Sequence, residues 1–198
     1  FGFNAGSALA ANGNAGMAML ATHLSAAAGS LAWMTMEWLR FGKPSVLGIV
    51  TGMVAGLGTI TPASGYVGPA GAVVIGAVAG VACFSATQFL KRVLKVDDSL
   101  DVFPVHGVGG MLGTLAAGVF ASTELGLFKG QGFATGITSI GQQLGVQFVA
   151  VVATVAYTAI VTFIVLKGVD ALVGLRVSRE EEIGGLDIAL HDERGYDL

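Results

Sequence analysis

Charge is the first thing this sequence has little of. Asp, Glu, Lys and Arg make up 12% of its 198 residues, against about 25% in a soluble globular domain. Its single cysteine, Cys83, excludes an intrachain disulfide and a thiolate metal cluster, and reads as a small apolar helix residue. No paired carboxylate lies inside an apolar run, no His, Cys or Asp residues have metal-ligand spacing, and no nucleophile has a neighbouring base. The chain therefore reads as a non-enzyme that needs no metal and no cofactor. It has no basic tract, and a formal net charge of −3 gives nucleic acid nothing to bind. What is abundant is apolar: hydrophobic residues reach 54% and the mean hydropathy is +0.76. Together these mark an all-α, polytopic membrane helical bundle. Glycine, at 31 residues, is far above its usual share of roughly 7%, and fits closely packed membrane helices better than flexible linkers.

The chain opens on an apolar stretch with no basic leader and no cleavage site, so it does not read as a signal peptide. Phe1 to about Ala11 reads as the exit end of a membrane helix, ended by the turn signal Asn12-Gly13-Asn14, and implies a longer polypeptide. Ala15 to Met36 is a full span closed by Glu37 and Arg40, with Trp33 and Trp38 placed as interface aromatics. The uncharged run from Pro44 to Leu90 is too long for one helix, and Pro62, Gly65, Gly68 and Pro69 break it into two spans joined by a tight turn. After the polar loop from Lys91 to Asp98 comes a span bearing His106, then a loop through Lys129 and a long span from about Thr135 to Leu166. The expectation is five complete spans and one stub over residues 1–175, with a polar tail over 176–198.

Arg40, Lys43, Lys91, Arg92, Lys95, Lys167, Arg176 and Arg179 fall on alternate loops, and only Lys129 falls on the other side. The basic side is the cytoplasmic one, which puts the C-terminus inside. Glycines at four-residue spacing (Gly48/Gly52/Gly56, Gly76/Gly80, Gly109/Gly113, Gly141/Gly145) predict close helix packing, with pore lining as the alternative.

The stretch from Asp101 to Ser122 is the centre of the reading. From Val102 to Thr123 only His106 is ionisable, and the run is long enough to cross the hydrocarbon core. Asp98, Ser99 or Asp101 can cap the helix, and Pro104 sits in its first turn, where a missing N–H does little harm. At helical spacing Val102, His106, Gly109 or Gly110, and Gly113 share a face. An ionisable group in a membrane helix usually faces a bundle interior or an aqueous path, which makes His106 a pore residue. The alternative is a histidine satisfied by a neighbouring helix. A conduit of Val, Phe, Gly and one imidazole is hostile to a bare cation but tolerates a small neutral hydrogen-bonding molecule. His23, inside the first full span, bonds a backbone carbonyl, meets a neighbouring subunit, or adds a proton-relay group.

Five segments in series carry a resemblance: FGFNAGSAL at 1–9, TPASGY at 61–66, KRVLKVDD at 91–98, DVFPVHGVGG at 101–110 and GLRV at 174–177. Together they resemble the ammonium transporter (Amt/Mep/Rh) family, and the chain looks like the C-terminal half of a bacterial-type member. The resemblance implies the second inverted repeat plus the last helix of an eleven-helix fold, a homotrimer with one pore per subunit, and residence in the cell (inner) membrane. By the same resemblance Phe3 matches one of two stacked gate phenylalanines and Ser7 the serine of an outer ammonium site. His106 matches the later of a mid-pore histidine pair, and Val102 falls at the apolar cytoplasmic exit. Ammonium would be recruited outside, deprotonated and passed as ammonia, with methylammonium as an analogue. His23 matches no motif position and inherits no role.

The tail from Ser178 to Tyr196 is either a solvated acidic segment or an ordered regulatory one. Glu180, Glu181, Glu182 and Asp187 supply charge, Leu186 and Ile188 are apolar, and Gly184-Gly185 supplies a hinge. Its resemblance to the family tail implies docking of a trimeric PII-type nitrogen-signalling protein, with Gly185, Leu186 and Tyr196 joining the four acidic residues as candidate regulatory positions. Three functions stay open: an ammonium/ammonia transporter, an ammonium sensor signalling through the tail, and a packing subunit with no solute path.

Overall fold

The computed structural model describes residues 1–196 as helices and turns, with no strand among them. The chain divides into two compact units, Phe1–Val151 and Val152 onward. The predicted tail over 176–198 therefore ends two residues outside the described ones.

In the first unit, α1 (Gly2–Gly6) is a short stub and α2 (Gly13–Phe41) is the longest element. Asn12 starts α2 by accepting from the N–H groups of Asn14 (3.0 Å) and Ala15 (3.1 Å), the usual work of an N-cap side chain. Gly42 ends it at φ +79°, a left-handed conformation that glycine adopts without a Cβ penalty. Ser45 caps α3 (Val46–Ile60) through Gly48 N–H at 2.9 Å. The Glu37 carboxylate accepts from the Ser45 N–H at 2.7 Å, which ties the end of α2 to the start of α3. Pro69 opens α4 (Pro69–Phe89) at the position where its missing N–H costs nothing. The helix then widens into a π turn, Leu90–Leu94, where the Arg92 guanidinium lies 5.2 Å from the centre of the Phe41 ring. A second π turn, Phe103–Val108, leads into α5 (Gly109–Phe120). The loop after α5 folds back on the α3–α4 turn: Gln131 N–H donates to the Tyr66 carbonyl at 2.9 Å and Gly132 N–H to that of Ala121 at 2.7 Å.

The sequence predicts five spans. Three helical stretches are both long and apolar enough to cross a membrane: Pro69–Leu94, Phe103–Phe120 and Ile140–Val173. α2, at 29 residues, is about 43 Å long, but its Gly, Ser and Thr residues, His23 and its charged end lower its hydropathy. α3, at 15 residues, reaches about 22 Å, short of the roughly 30 Å hydrocarbon core.

Close packing is organised by glycine. α2 packs against both α3 and α4, which also touch each other, and the Ser25 carbonyl occupies the space that a side chain at Gly56 or Gly76 would need. Ser25 Oγ also donates to the Gly56 carbonyl at 2.9 Å. Gly52 and Gly80 likewise give way to Trp33 and Ala32. This is the small-residue contact predicted from the four-residue spacing. Gly141 and Gly145 depart from it: a Cβ at either would meet nothing within 4 Å, because their face of the last long helix has no partner among the described residues. Trp33 departs from its expected interface place too. It is 3% exposed and meets Phe84 edge-on at 5.5 Å, since the α2 face that carries it is the one buried by α3 and α4. Trp38, by contrast, is exposed.

α6 (Ile140–Val173) begins in the first unit and runs into the second. The second unit continues with α7 (Arg179–Gly184) and α8 (Leu186–His191). Ser178 and Glu181 cap α7 reciprocally: Ser178 N–H donates to Glu181 Oε2 at 2.8 Å, and Glu181 N–H to Ser178 Oγ at 3.3 Å, a capping box. Arg176 pairs with Glu182 at 2.7 Å. Gly185, at φ +90°, makes the bend between the two short helices.

Two outcomes are expected. Gly56→Val, which must displace the Ser25 carbonyl, should lower stability by about 3 kcal/mol, seen as a drop in the thermal midpoint in detergent. Hydrogen bonds from Ser178, its side chain first and its backbone N–H second, hold the Glu181 carboxyl below its ordinary 4.5. The α7 cap is thus intact above that value and is lost as pH falls through the depressed one. Carboxyl 13C NMR should show Glu181 titrating below 4.5, and Ser178→Ala should move it back up.

Candidate solute path

The segment bearing His106 is started by Asp98. Its two carboxylate oxygens accept from Val102 N–H and Phe103 N–H, each at 2.9 Å, so Asp98 is the cap among the three acceptors that the sequence offers. Asp101, held at φ +56°, pairs with Lys91 at 2.7 Å and so fastens the start of this segment to the end of α4. Pro104 is buried in the first turn. That turn, Phe103–Val108, is π rather than α, so its backbone bonds reach one residue farther.

That extra residue re-phases the helix. Gly109 and Gly113 are buried, with Thr59 of α3 in the space their side chains would take. His106 is exposed, and Gly110 is half-buried with nothing within 4 Å of an added Cβ. The single predicted face of Val102, His106 and the glycines is thus split: two glycines point into the bundle and the imidazole points away from it.

His106 looks onto an open depression of about 700 Å³, lined also by Leu90, Val96, Asp97, Asp98, Val102 and Phe103. Val102 is 51% exposed. The imidazole makes no hydrogen bond to another described residue, so both ring nitrogens are left for a solute or a further group. Aspartates stand at one rim and apolar side chains make the wall. Among the described residues no group of three His, Cys, Asp or Glu side chains could hold a metal ion.

Phe3 and Ser7 lie one turn apart, beginning within α1. Phe3 is 79% exposed, and Ser7 Oγ donates to the Phe3 carbonyl at 2.8 Å. Sequence reasoning missed what holds this stub: Asn4, 8% exposed, donates from its amide to Thr22 Oγ1 at 3.1 Å, and Thr22 donates to the Ala18 carbonyl at 2.6 Å. A polar residue between apolar ones in a helix remnant was the available signal. His23 is exposed; its Nδ1 lies 3.2 Å from the Met19 carbonyl and its ring 4.6 Å from that of Phe1, the backbone-bonded arrangement among its alternatives. Phe3 and Ser7 form one pair and Val102 and His106 another, and no described hydrogen bond joins the two.

The profile of the family described as Ammonium Transporter Family matches residues 1–196. The chain is 50% identical to a protein named "Putative ammonium transporter" from Methanothermobacter thermautotrophicus, covering 100% of this chain and 48% of that protein. It is 48% identical to "Ammonium transporter Amt1" of Archaeoglobus fulgidus, covering 99% of this chain and 48% of the relative. Among solved structures, one named "Sensor Amt Protein" superposes with a TM-score of 0.86 at 30% identity, over 96% of this chain and 45% of that one. Saccharomyces cerevisiae Mep2 superposes with a TM-score of 0.78 at 37% identity, over 90% and 40%. The chain spans about half the length of the relatives it matches. With apolar helices of membrane-crossing length and a family match that runs through all its described residues, the chain is a membrane protein and belongs to the ammonium transporter family.

Proposed function

We propose that this chain supplies one half of a path that carries ammonium across the cell (inner) membrane as ammonia. The observation that carries the reading is His106, an imidazole on an apolar membrane helix with no hydrogen bond to another described residue, beside a wall of Val102 and Phe103. A charge at the centre of a bilayer costs about 3 kcal/mol or more, so a solute that sheds its proton passes far more easily than a cation. Neutral imidazole accepts a hydrogen bond at one nitrogen and donates at the other, which suits it to hand ammonia along and to take up a proton. Phe3 would gate the outer side, Ser7 would help hold ammonium before it is deprotonated, and Val102 would keep the cytoplasmic exit apolar. Homotrimeric assembly and a cytoplasmic C-terminus belong to the same reading. So does docking of a PII-type partner on Glu180, Glu181, Glu182, Gly185, Leu186, Asp187 and Tyr196.

A second reading, an ammonium sensor signalling through the tail, is favoured by the likeness to the structure named "Sensor Amt Protein". It would show ligand-dependent binding at the tail with negligible flux.

In vesicles reconstituted with the whole protein that carries this chain, His106→Ala should cut methylammonium uptake by roughly a hundredfold, the scale on which a positioned acid–base group acts. Uptake at the wild-type rate would remove His106 from the path. Truncation after Arg176 should abolish inhibition of uptake by a PII-type protein while leaving basal uptake in place.

A further inference from the structure

The π turn that carries His106 rests on the Gly58–Thr59 step of α3. A side-chain carbon built on Gly58 would lie 3.6 Å from the Val105 carbonyl oxygen and 3.8 Å from His106 Nδ1, so α3 passes directly behind the imidazole. Where the π turn hands over to α5, a carbon built on Gly109 would lie 2.7 Å from Thr59 Oγ1 and 3.3 Å from Cys83 Sγ. One turn on, a carbon at Gly113 would meet the Thr59 carbonyl oxygen. One residue of α3 therefore fills two successive gaps, its hydroxyl at Gly109 and its carbonyl at Gly113. Thr59 is 0% exposed; its hydroxyl meets no nitrogen or oxygen partner among the described residues, and its polar neighbour is the Cys83 thiol. A thiol is only a weak partner for a buried hydroxyl, so hydrogen bonding alone does not account for a threonine here, whereas filling the Gly109 gap does.

We infer that Thr59 is a positioning residue for His106: seated in the gaps left by Gly109 and Gly113, it fixes the height and rotation of the π turn and hence the place of the imidazole along the path. Shape rather than polarity does this, since a side chain one atom shorter leaves the first gap empty and the carbonyl alone holds the second. This rests on the assignment of His106 to the path.

The test is compensation, measured in vesicles reconstituted with the whole protein. Gly109→Ala drives a methyl group against Thr59 Oγ1, and methylammonium uptake should fall roughly tenfold or more, the scale of a displaced reacting group. Adding Thr59→Ala removes the closest atom, leaving the Cys83 Sγ at 3.3 Å and Cβ of residue 59 at 3.9 Å, and uptake should rise well above that of Gly109→Ala alone. Gly113→Ala should not be rescued, because its clash is with the backbone of residue 59, which no side-chain change removes. Thr59→Val, which keeps the shape, should transport as wild type. The imidazole 15N resonances of His106 should shift in Gly109→Ala and return in the pair. The inference is overturned if uptake and resonances of Gly109→Ala match wild type, if the pair is no better than Gly109→Ala, or if Thr59→Ala rescues Gly113→Ala equally. Should Gly109→Ala fail to accumulate, restoration of accumulation by Thr59→Ala reads the same contact, and its absence overturns the inference. His106→Ala run alongside separates the two readings: wild-type uptake there sinks the path, whereas loss there with no rescue at Gly109 sinks only the seat.

Discussion

The Ser25 carbonyl of α2, lodged where Gly56 of α3 and Gly76 of α4 have no side chains, is the contact on which the first unit depends. In a membrane the hydrophobic effect gives helices no reason to prefer each other over lipid, so association rests on dispersion at short range and a few hydrogen bonds. Short range requires backbone against backbone, and only glycine permits it. The Ser25 hydroxyl bond to the Gly56 carbonyl adds direction to that approach. Once α2, α3 and α4 are locked, Trp33 and Phe84 fill the core toward one end, while Ile60, Ala72 and Ile75 fill it toward the other.

The His106 segment is laid onto this block rather than built into it. Asp98 and the Lys91–Asp101 pair fix its start, Thr59 fixes its middle, and the π turn between them absorbs the mismatch. A regular helix would have carried His106 and the two glycines on one face. The wider turn lets the glycines close on α3 while the imidazole looks outward. The segment thus packs tightly against α3 on one side and leaves the imidazole without a hydrogen bond to another described residue on the other.

The local signals legible in the sequence survive into the structure: the Asn12 turn ends the stub and Asp98 is one of the three caps offered. Asn12 and Ser45 also cap, beyond what the sequence reading predicts, because an oxygen two or three bonds from the backbone reaches its target whatever else happens. Pro69 opens a helix and Gly42 closes one for reasons internal to those residues. The capping box of Ser178 and Glu181 belongs to the same class. The readings that failed concern which side of a helix meets what. Trp33 has the composition and position of an interface aromatic and sits instead in the core, and Gly141 and Gly145 have the spacing of a packing face that meets nothing among the described residues. Asn4 and Thr59 gave almost no signal, because a single small polar residue in an apolar helix looks alike whether it anchors a neighbour or not.

By itself the sequence determined the all-helical membrane character, the breaks between helices and the membership of the family, since each follows from residue chemistry over a few positions or from motifs in order. Tertiary structure alone decided the π turn, the splitting of the predicted His106 face and the double seating of Thr59. These depend on how two helices far apart in sequence divide the same space, and periodicity within one helix carries no record of its neighbour's shape.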